Sequence, residues 1–341
     1  MNIRRTSAAA ASAAALVALA ACGDDNGNGN GNGNGAEDDV EVGDEGDFVT
    51  DLTFATGDTA GTYYPLGGEL AEIFEANTEA TVNYVESEGS ADNLGQLYNE
   101  EAQLGLSQND TAALAVDGEL DDLEGVQLDN FGWIANLYPE AMHIIVRADS
   151  GIESIEDLEG ERIAVGDAGS GTRIISDAIL EAHGIEDGDY EAEITEFGTS
   201  TEMLADEQID ATMFVVGTPV AGLTQLAGST DVELLSVEDD MAEEIAGGGD
   251  YEVYDIDSDA YEFLEEDVTT ISVFAALMAS TTQVSEELAY DLTEAIFEHS
   301  EEITLDVGES VDVEEALNGI GSTPLHPGAE AYFEEQGVDL P

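Results

Sequence analysis

The chain contains no lysine, and all five of its basic residues are arginine. A P-loop, a pyridoxal Schiff base and any lysine nucleophile are thereby excluded, because each depends on the missing ammonium group. Cysteine is almost as scarce: Cys22 stands alone, which rules out a disulfide framework. The four histidines, at 143, 183, 299 and 326, are too scattered to suggest a zinc site, and His326 reads as fixing a C-terminal turn. Against 79 acidic residues and a formal net charge of −74, no basic patch exists to neutralise phosphates. Nucleic acid is excluded as a partner.

Acid is what the chain has in excess. A surface of this charge repels itself in dilute buffer, whereas molar salt shortens the Debye length to about 3 Å and removes most of that penalty. The composition reads as adapted to high salt. A hydrophobic content of 43% and long periodic segments separate it from a disordered polyacid, so the region after residue 48 is expected to fold. Acid runs such as Glu265-Glu266-Asp267 lack EF-hand spacing and read as solvated surface.

Arg4 and Arg5, an alanine-rich stretch from Ala8 to Ala21, and the close Leu19-Ala20-Ala21-Cys22 follow the pattern of a lipoprotein signal. Residues 1–21 are expected to be removed, and Cys22 to carry lipid that anchors the chain to the outer face of the cell membrane. Loss of Arg4 and Arg5 takes two positive charges and no acid, leaving −76. Residues 22–47 contain five consecutive Asn-Gly pairs, Asn26 to Gly35, with no alternating apolar strands around them, so they read as a flexible acidic tether. Such a coil spans on the order of 25–30 Å.

Beyond residue 48, strand and helix patterns alternate, which implies α/β lobes built on parallel sheets. Strands are expected near 81–86, 104–107, 131–136, 141–146, 162–165, 211–216, 232–236 and 269–279. Helices are expected at 66–76, 92–100, from 109, 172–183, 201–207, 219–227, 285–300, 313–318 and 327–336. The chain leaves the first lobe near residue 141 and returns near 271, giving lobe I as 48–140 with 271–341 and lobe II as 141–270. Two crossings form a hinge.

Two glycine-rich turns carry the chemistry. Gly57-Asp58-Thr59-Ala60-Gly61-Thr62-Tyr63-Tyr64-Pro65 follows the strand-like run 50–55, and Gly169-Ser170-Gly171-Thr172-Arg173 follows Ile163-Ala164-Val165. Each places unpaired N–H groups and a positive dipole end at a helix start, a cradle for an anionic group held between lobes. Gly61 permits close backbone approach, Thr62 offers a hydroxyl, and Tyr63 and Tyr64 read equally as aromatic walls or as core. Ser87 and Ser90 stand at a strand-to-helix transition, as ligand contacts or helix caps. Gln108 and Asp110 sit at the ligand edge of an open sheet, where Asp110 also reads as a helix N-terminal acid. Arg173 can pair with a ligand carboxylate or with a neighbouring acid, while Arg147 and Arg162 read as structural.

The ordered set Gly61-Thr62-Tyr63-Tyr64-Pro65-Leu66-Gly67, 86–94, Gln108-Asn109-Asp110, Leu137-Tyr138-Pro139-Glu140, 149–152, 157–160, Gly169-Ser170-Gly171-Thr172 and 324–329 resembles the TAXI-type solute receptors of TRAP transporters. The resemblance implies a bilobal periplasmic-binding-protein fold, type II-like, with two α/β lobes joined by a two-strand hinge. It further implies capture of a small carboxylate, an acidic amino acid such as glutamate or a 2-oxo acid, for delivery to TRAP membrane permease subunits, without catalysis or cofactor. Arginine at 173 departs from the acidic residue that the family pattern leads one to expect. For an amino acid ligand, Asp110 and Glu140 are the candidate ammonium acceptors and Tyr138 a hinge contact; for a 2-oxo acid those acids must face away or hold a proton. Two rival readings are a surface-anchored hydrolase using Ser170, which lacks the first glycine of a nucleophile elbow, and an adhesin or antigen without a ligand.

Overall fold

The computed structural model describes residues 41–120, 123, 125–247 and 249–341. The signal, Cys22 and the Asn-Gly repeats lie outside the described residues. The end of the expected tether departs from a free coil: the Glu41 and Gly43 N–H groups donate to the Asp129 and Thr281 carbonyls at 2.8 and 3.1 Å.

Ten strands form one sheet in the order β2-β1-β3-β10-β4-β7-β5-β6, with β8 on β4 and β9 on β10. The strands are β1 Asp51–Ala55, β2 Thr81–Val85, β3 Leu104–Gln108, β4 Phe131–Arg147, β5 Arg162–Ala164, β6 Glu191–Glu193, β7 Ala211–Val216, β8 Val232–Leu234, β9 Glu252–Ile256 and β10 Val268–Ser280. The helices are α1 Tyr63–Asn77, α2 Ser90–Tyr98, α3 Asn109–Asp117, α4 Gly171–Ala182, α5 Phe197–Ala205, α6 Ala221–Ala227, α7 Asp239–Ala246, α8 Glu286–Glu298 and α9 Pro327–Gln336.

Two α/β lobes share the long strands β4 and β10. The two runs expected at 131–136 and 141–146 are one continuous strand. From Phe131 to Ala141 it pairs with β10, and from Ala141 to Val146 it pairs with β7. In turn β10 pairs with β9 through Ser272 and with β3 from Ala275. The expectation of parallel sheets holds for the outer strands, β2-β1-β3 and β6-β5-β7. It fails at the centre, where β10 runs back beside β4 and both are antiparallel to their neighbours.

Period-two alternation sends each strand's side chains to two cores. Along β10, Ala275, Leu277 and Ala279 join the cluster with Phe54, Leu70, Leu292 and Phe333, while Ala276 and Met278 join Leu94, Leu97 and Trp133 on the other face. Along β4, Met142, Ile144 and Val146 pack with Ile163, Ile175 and Met213, whereas Ala141 and Ile145 pack with Phe197, Phe214 and Leu223. Helices cover both faces, which is why these strands are nearly continuous apolar runs. The pattern at 313–318 yields only a 3-10 turn at Val313–Glu315. His326 caps α9, its Nδ1 accepting from the Gly328 N–H at 3.2 Å.

Leu277 is fully buried at the centre of the shared strand. Leu277→Ala is expected to cost about 2–5 kcal/mol of unfolding free energy, through lost transfer energy and the cavity left behind. Denaturant titration in molar salt measures it, and a loss below about 1 kcal/mol would show that this core collapses around the gap.

Candidate functional site

The parallel strands of both lobes end, and the helices that follow them begin, around one cavity of ≈ 60 Å³. Its walls include Gly61, Thr62 and Tyr63 at the start of α1, Gly89 and Ser90 at α2, Gln108 at α3, Ser170, Gly171 and Thr172 at α4, and Phe197 at α5. Glu140 of β4 and Phe214, Val215 and Val216 of β7 complete it, with Gly57, Asp58 and Glu88. No lysine, arginine or histidine lines it. A larger depression of ≈ 450 Å³, bordered by Pro65, Val220 and Leu305, touches the starts of α1 and α6 and none of α2 to α5.

None of α1 to α5 has a side-chain cap supplied by its own N-cap residue, and α1, α4 and α5 carry no acid in their first turn. In a chain with 79 acids the second fact is informative, because a helix N-terminus is where acids are favoured, and α7, α8 and α9 carry them there. Gly89, the residue before α2, sits at φ 119° and ψ −149°, a conformation open in practice only to glycine.

The walls touch across the cleft. Asp58 Oδ2 accepts from the Gly198 N–H at 2.7 Å, so the α5 end is capped by a carboxylate from the opposite lobe. Thr62 Oγ1 accepts from the Gly217 N–H at 3.0 Å, and the Asp92 N–H donates to the Gly169 carbonyl at 3.1 Å. The lobes are closed on each other.

Behind the cavity lies a polar network around Glu140. The Tyr63 hydroxyl donates to its Oε2 at 2.9 Å and the Tyr138 hydroxyl to its Oε1 at 3.1 Å, and the Gln108 side chain lies near enough to pull its value down as they do. Burial pushes the Glu140 carboxyl up to about 8, against the downward pull of these donors. Asp110, also buried, is pushed up to about 6 by desolvation; its Oδ1 accepts from Thr111, and Tyr251 lies near enough to pull the value back down. Gln108 Oε1 is buried without a hydrogen-bond partner.

Of the residues singled out in the sequence, Gly61, Thr62, Tyr63, Ser90, Gln108, Glu140, Ser170, Gly171 and Thr172 line this cavity, and five others do not. Tyr64 packs edge-to-face on Tyr84, centroids 5.2 Å apart, because α1 begins at Tyr63 and turns residue 64 outward. Ser87 is half-buried and accepts from the Gly89 N–H. Tyr138 and Asp110 lie behind the lining. Arg173 pairs with Asp177 one turn along α4, at 2.9 Å, and borders an outer depression. Two cradle details also change. The Gly61 N–H is spent on the Asp58 carbonyl, and Thr172 Oγ1 accepts from the Val215 N–H, tying α4 to β7. The Ser170 hydroxyl donates to the Asp167 carbonyl at 2.8 Å, so its proton faces a backbone oxygen and no general base. Sequence reasoning missed Asp58, Gly89, Phe197 and the apolar edge of β7; the acid-free start of α5 was the signal that marked Phe197.

A model of the NMT1-like family matches residues 54–337. In solved structures the same fold occurs in the alkanesulfonate-binding protein SsuA from Xanthomonas axonopodis pv. citri bound to MOPS. That match has 15% identity and a TM-score of 0.50, and covers 84% of each chain. A protein of Bordetella bronchiseptica RB50 matches with 18% identity and a TM-score of 0.53, over 84% of this chain and 82% of that one. The periplasmic-binding-protein architecture is therefore common to all three.

The raised Glu140 value has a consequence for stability. Below about 4.5 the folded and unfolded chains both hold the proton; above it the unfolded chain releases it first, so stability falls until about 8 and then levels. Glu140→Gln is expected to match the parent's melting temperature near pH 4 and to exceed it near pH 8, by roughly a few kcal/mol in stability. Parallel melting curves across that range would contradict a protonated Glu140.

Proposed function

The chain belongs to the NMT1-like family, and we propose that it is an extracytoplasmic solute receptor that closes by hinge motion on a small organic anion. One observation carries this reading: five helix N-termini converge on one cavity that, among the described residues, no cationic side chain lines. Backbone N–H groups and dipole ends then supply the positive potential that arginine and lysine supply elsewhere. Arg147, Arg162 and Arg173 are each held by carbonyls or carboxylates elsewhere, and of the helix ends α5 is taken by Asp58.

The lobes of this reading are 48–140 with 271–341, and 141–270, supported by the exchange of partners at Ala141 on β4 and between Ser272 and Ala275 on β10. Lipid on Cys22 would hold the receptor at the membrane. A TRAP-type permease of the TAXI class is the proposed recipient, on the ordered motifs of the sequence. The ligand is a carboxylate such as glutamate or a 2-oxo acid; Phe197, Phe214, Val215 and Val216 offer its carbon chain an apolar wall. Among the described residues no helix is long and apolar enough to cross a membrane. A receptor of this kind performs no chemistry on what it carries.

Thermal unfolding in molar salt against acidic amino acids, 2-oxo acids, other dicarboxylates and an alkanesulfonate tests the reading, since binding to the folded state alone raises the midpoint. At least one anion should raise it and neutral osmolytes at equal concentration should not. A flat response across the panel would contradict the proposal.

Gly171→Ala probes the α4 end. A Cβ there would lie 1.9 Å from Gln108 Oε1 and 2.8 Å from Thr111 Oγ1, so side chains of the site must move while the fold is spared. Crowding of this kind costs about 1–3 kcal/mol, and falling on the bound form it lowers affinity about five- to 150-fold. Unchanged affinity by calorimetry would remove the α4 end from the site.

A further inference from the structure

Resting on the receptor reading above, we propose that Gln108 is the specificity residue of the cavity: its side-chain oxygen selects carboxylates bearing a hydrogen-bond donor on the adjacent carbon, with Glu140 as the positioning group that turns that oxygen toward the ligand. Gln108 ends β3, is 3% exposed, and has its N–H committed to Ser90 Oγ at 3.1 Å, which fixes where the side chain starts. The Glu140 carboxyl, pinned by the hydroxyls of Tyr63 and Tyr138, lies beside the Gln108 amide. The amide oxygen is turned toward α4. It lies against Gly171, the first residue of α4, and no group of the protein donates to it.

A buried acceptor without a donor costs free energy comparable to a lost hydrogen bond, so a ligand that supplies the donor gains what the protein leaves unmet. Position defines where that donor sits. A carboxylate held by the first N–H groups of α4 places its adjacent carbon beside Gly171, hence beside Gln108 Oε1. An ammonium or hydroxyl group on that carbon donates; a keto oxygen presents a second acceptor and is repelled. Amino and 2-hydroxy acids share the required chemistry, and 2-oxo acids lack it.

Calorimetric titration in molar salt of L-glutamate, 2-hydroxyglutarate and 2-oxoglutarate, and of leucine with its hydroxy and oxo analogues, tests the assignment. In the series that binds, the amino or hydroxy acid should bind at least about tenfold tighter than the oxo acid. Gln108→Leu should narrow that ratio to within about threefold, and Glu140→Met should narrow it as well by freeing the amide to turn. A purely structural role for Glu140 would weaken all ligands in proportion and leave the ratio intact. An oxo acid that binds as tightly as its partners in the parent protein overturns the acceptor assignment while leaving the receptor reading in place, a result that needs no variant to fold. Binding of none of the six, in a protein that another anion of the wider panel stabilises, overturns the acceptor assignment alone, and a flat response to that whole panel overturns both.

Discussion

The structure depends on two strands that belong to both lobes. Because β4 and β10 run side by side through the whole molecule, the site is assembled from strand ends on either side of one shared ladder. On the proposed reading, bending at that ladder opens or closes the cavity while the apolar clusters on either side of it stay intact. Closure is then decided by a few contacts at the lips, among them Asp58 on the α5 end and Thr62 on the Gly217 N–H.

The second constraint is electrostatic. A chain with this many carboxylates cannot keep a free arginine at a binding site, because an acid is always within reach; Arg173 found Asp177 four residues on. The proposed anion binding is then left to groups that no side chain needs to deliver. The acid-free first turns of α1, α4 and α5 keep three dipole ends available, one of which the protein satisfies with its own Asp58. Buried carboxyls near the cavity do not undo this. Glu140, enclosed by tyrosine hydroxyls and pushed up to about 8, keeps its proton at neutral pH and adds no charge against an incoming anion.

Elements were legible in the sequence where burial and end signals agree. The α9 helix is bounded by Pro327 at its first turn and by Gly337 in the left-handed conformation after its end, and β7 is an unbroken apolar run covered on both faces. Exposed acidic elements were not: β6 is three residues long and mostly exposed, and α7 buries only Ala242 fully, with Met241 and Ile245 packed beside it. The α5 start was misplaced because Gly198, Thr199, Ser200 and Thr201 are weak helix formers held in place by the lobe opposite. At the site, the glycine-rich turns placed the α4 start within one residue, whereas α1 begins at Tyr63, three residues before the expected 66. What they could not give was direction: whether Tyr63 or Tyr64 faces inward follows from the residue at which α1 begins, and Gln108's free oxygen follows from Glu140, 32 residues later in the chain.

Hinge closure on a ligand is the central claim, and the distance between lobes tests it most directly. Cys22 is the only cysteine, so a mature domain lacking it can be labelled specifically at Glu72→Cys on α1 and Glu202→Cys on α5, both exposed. Pulsed dipolar spectroscopy in molar salt, with and without an anion that raises the melting temperature, reads the distribution. The account predicts that saturation with ligand collapses a broader or longer distribution onto the single short distance of the closed form. An identical distribution with and without a ligand that demonstrably binds, centred away from that distance, would contradict it.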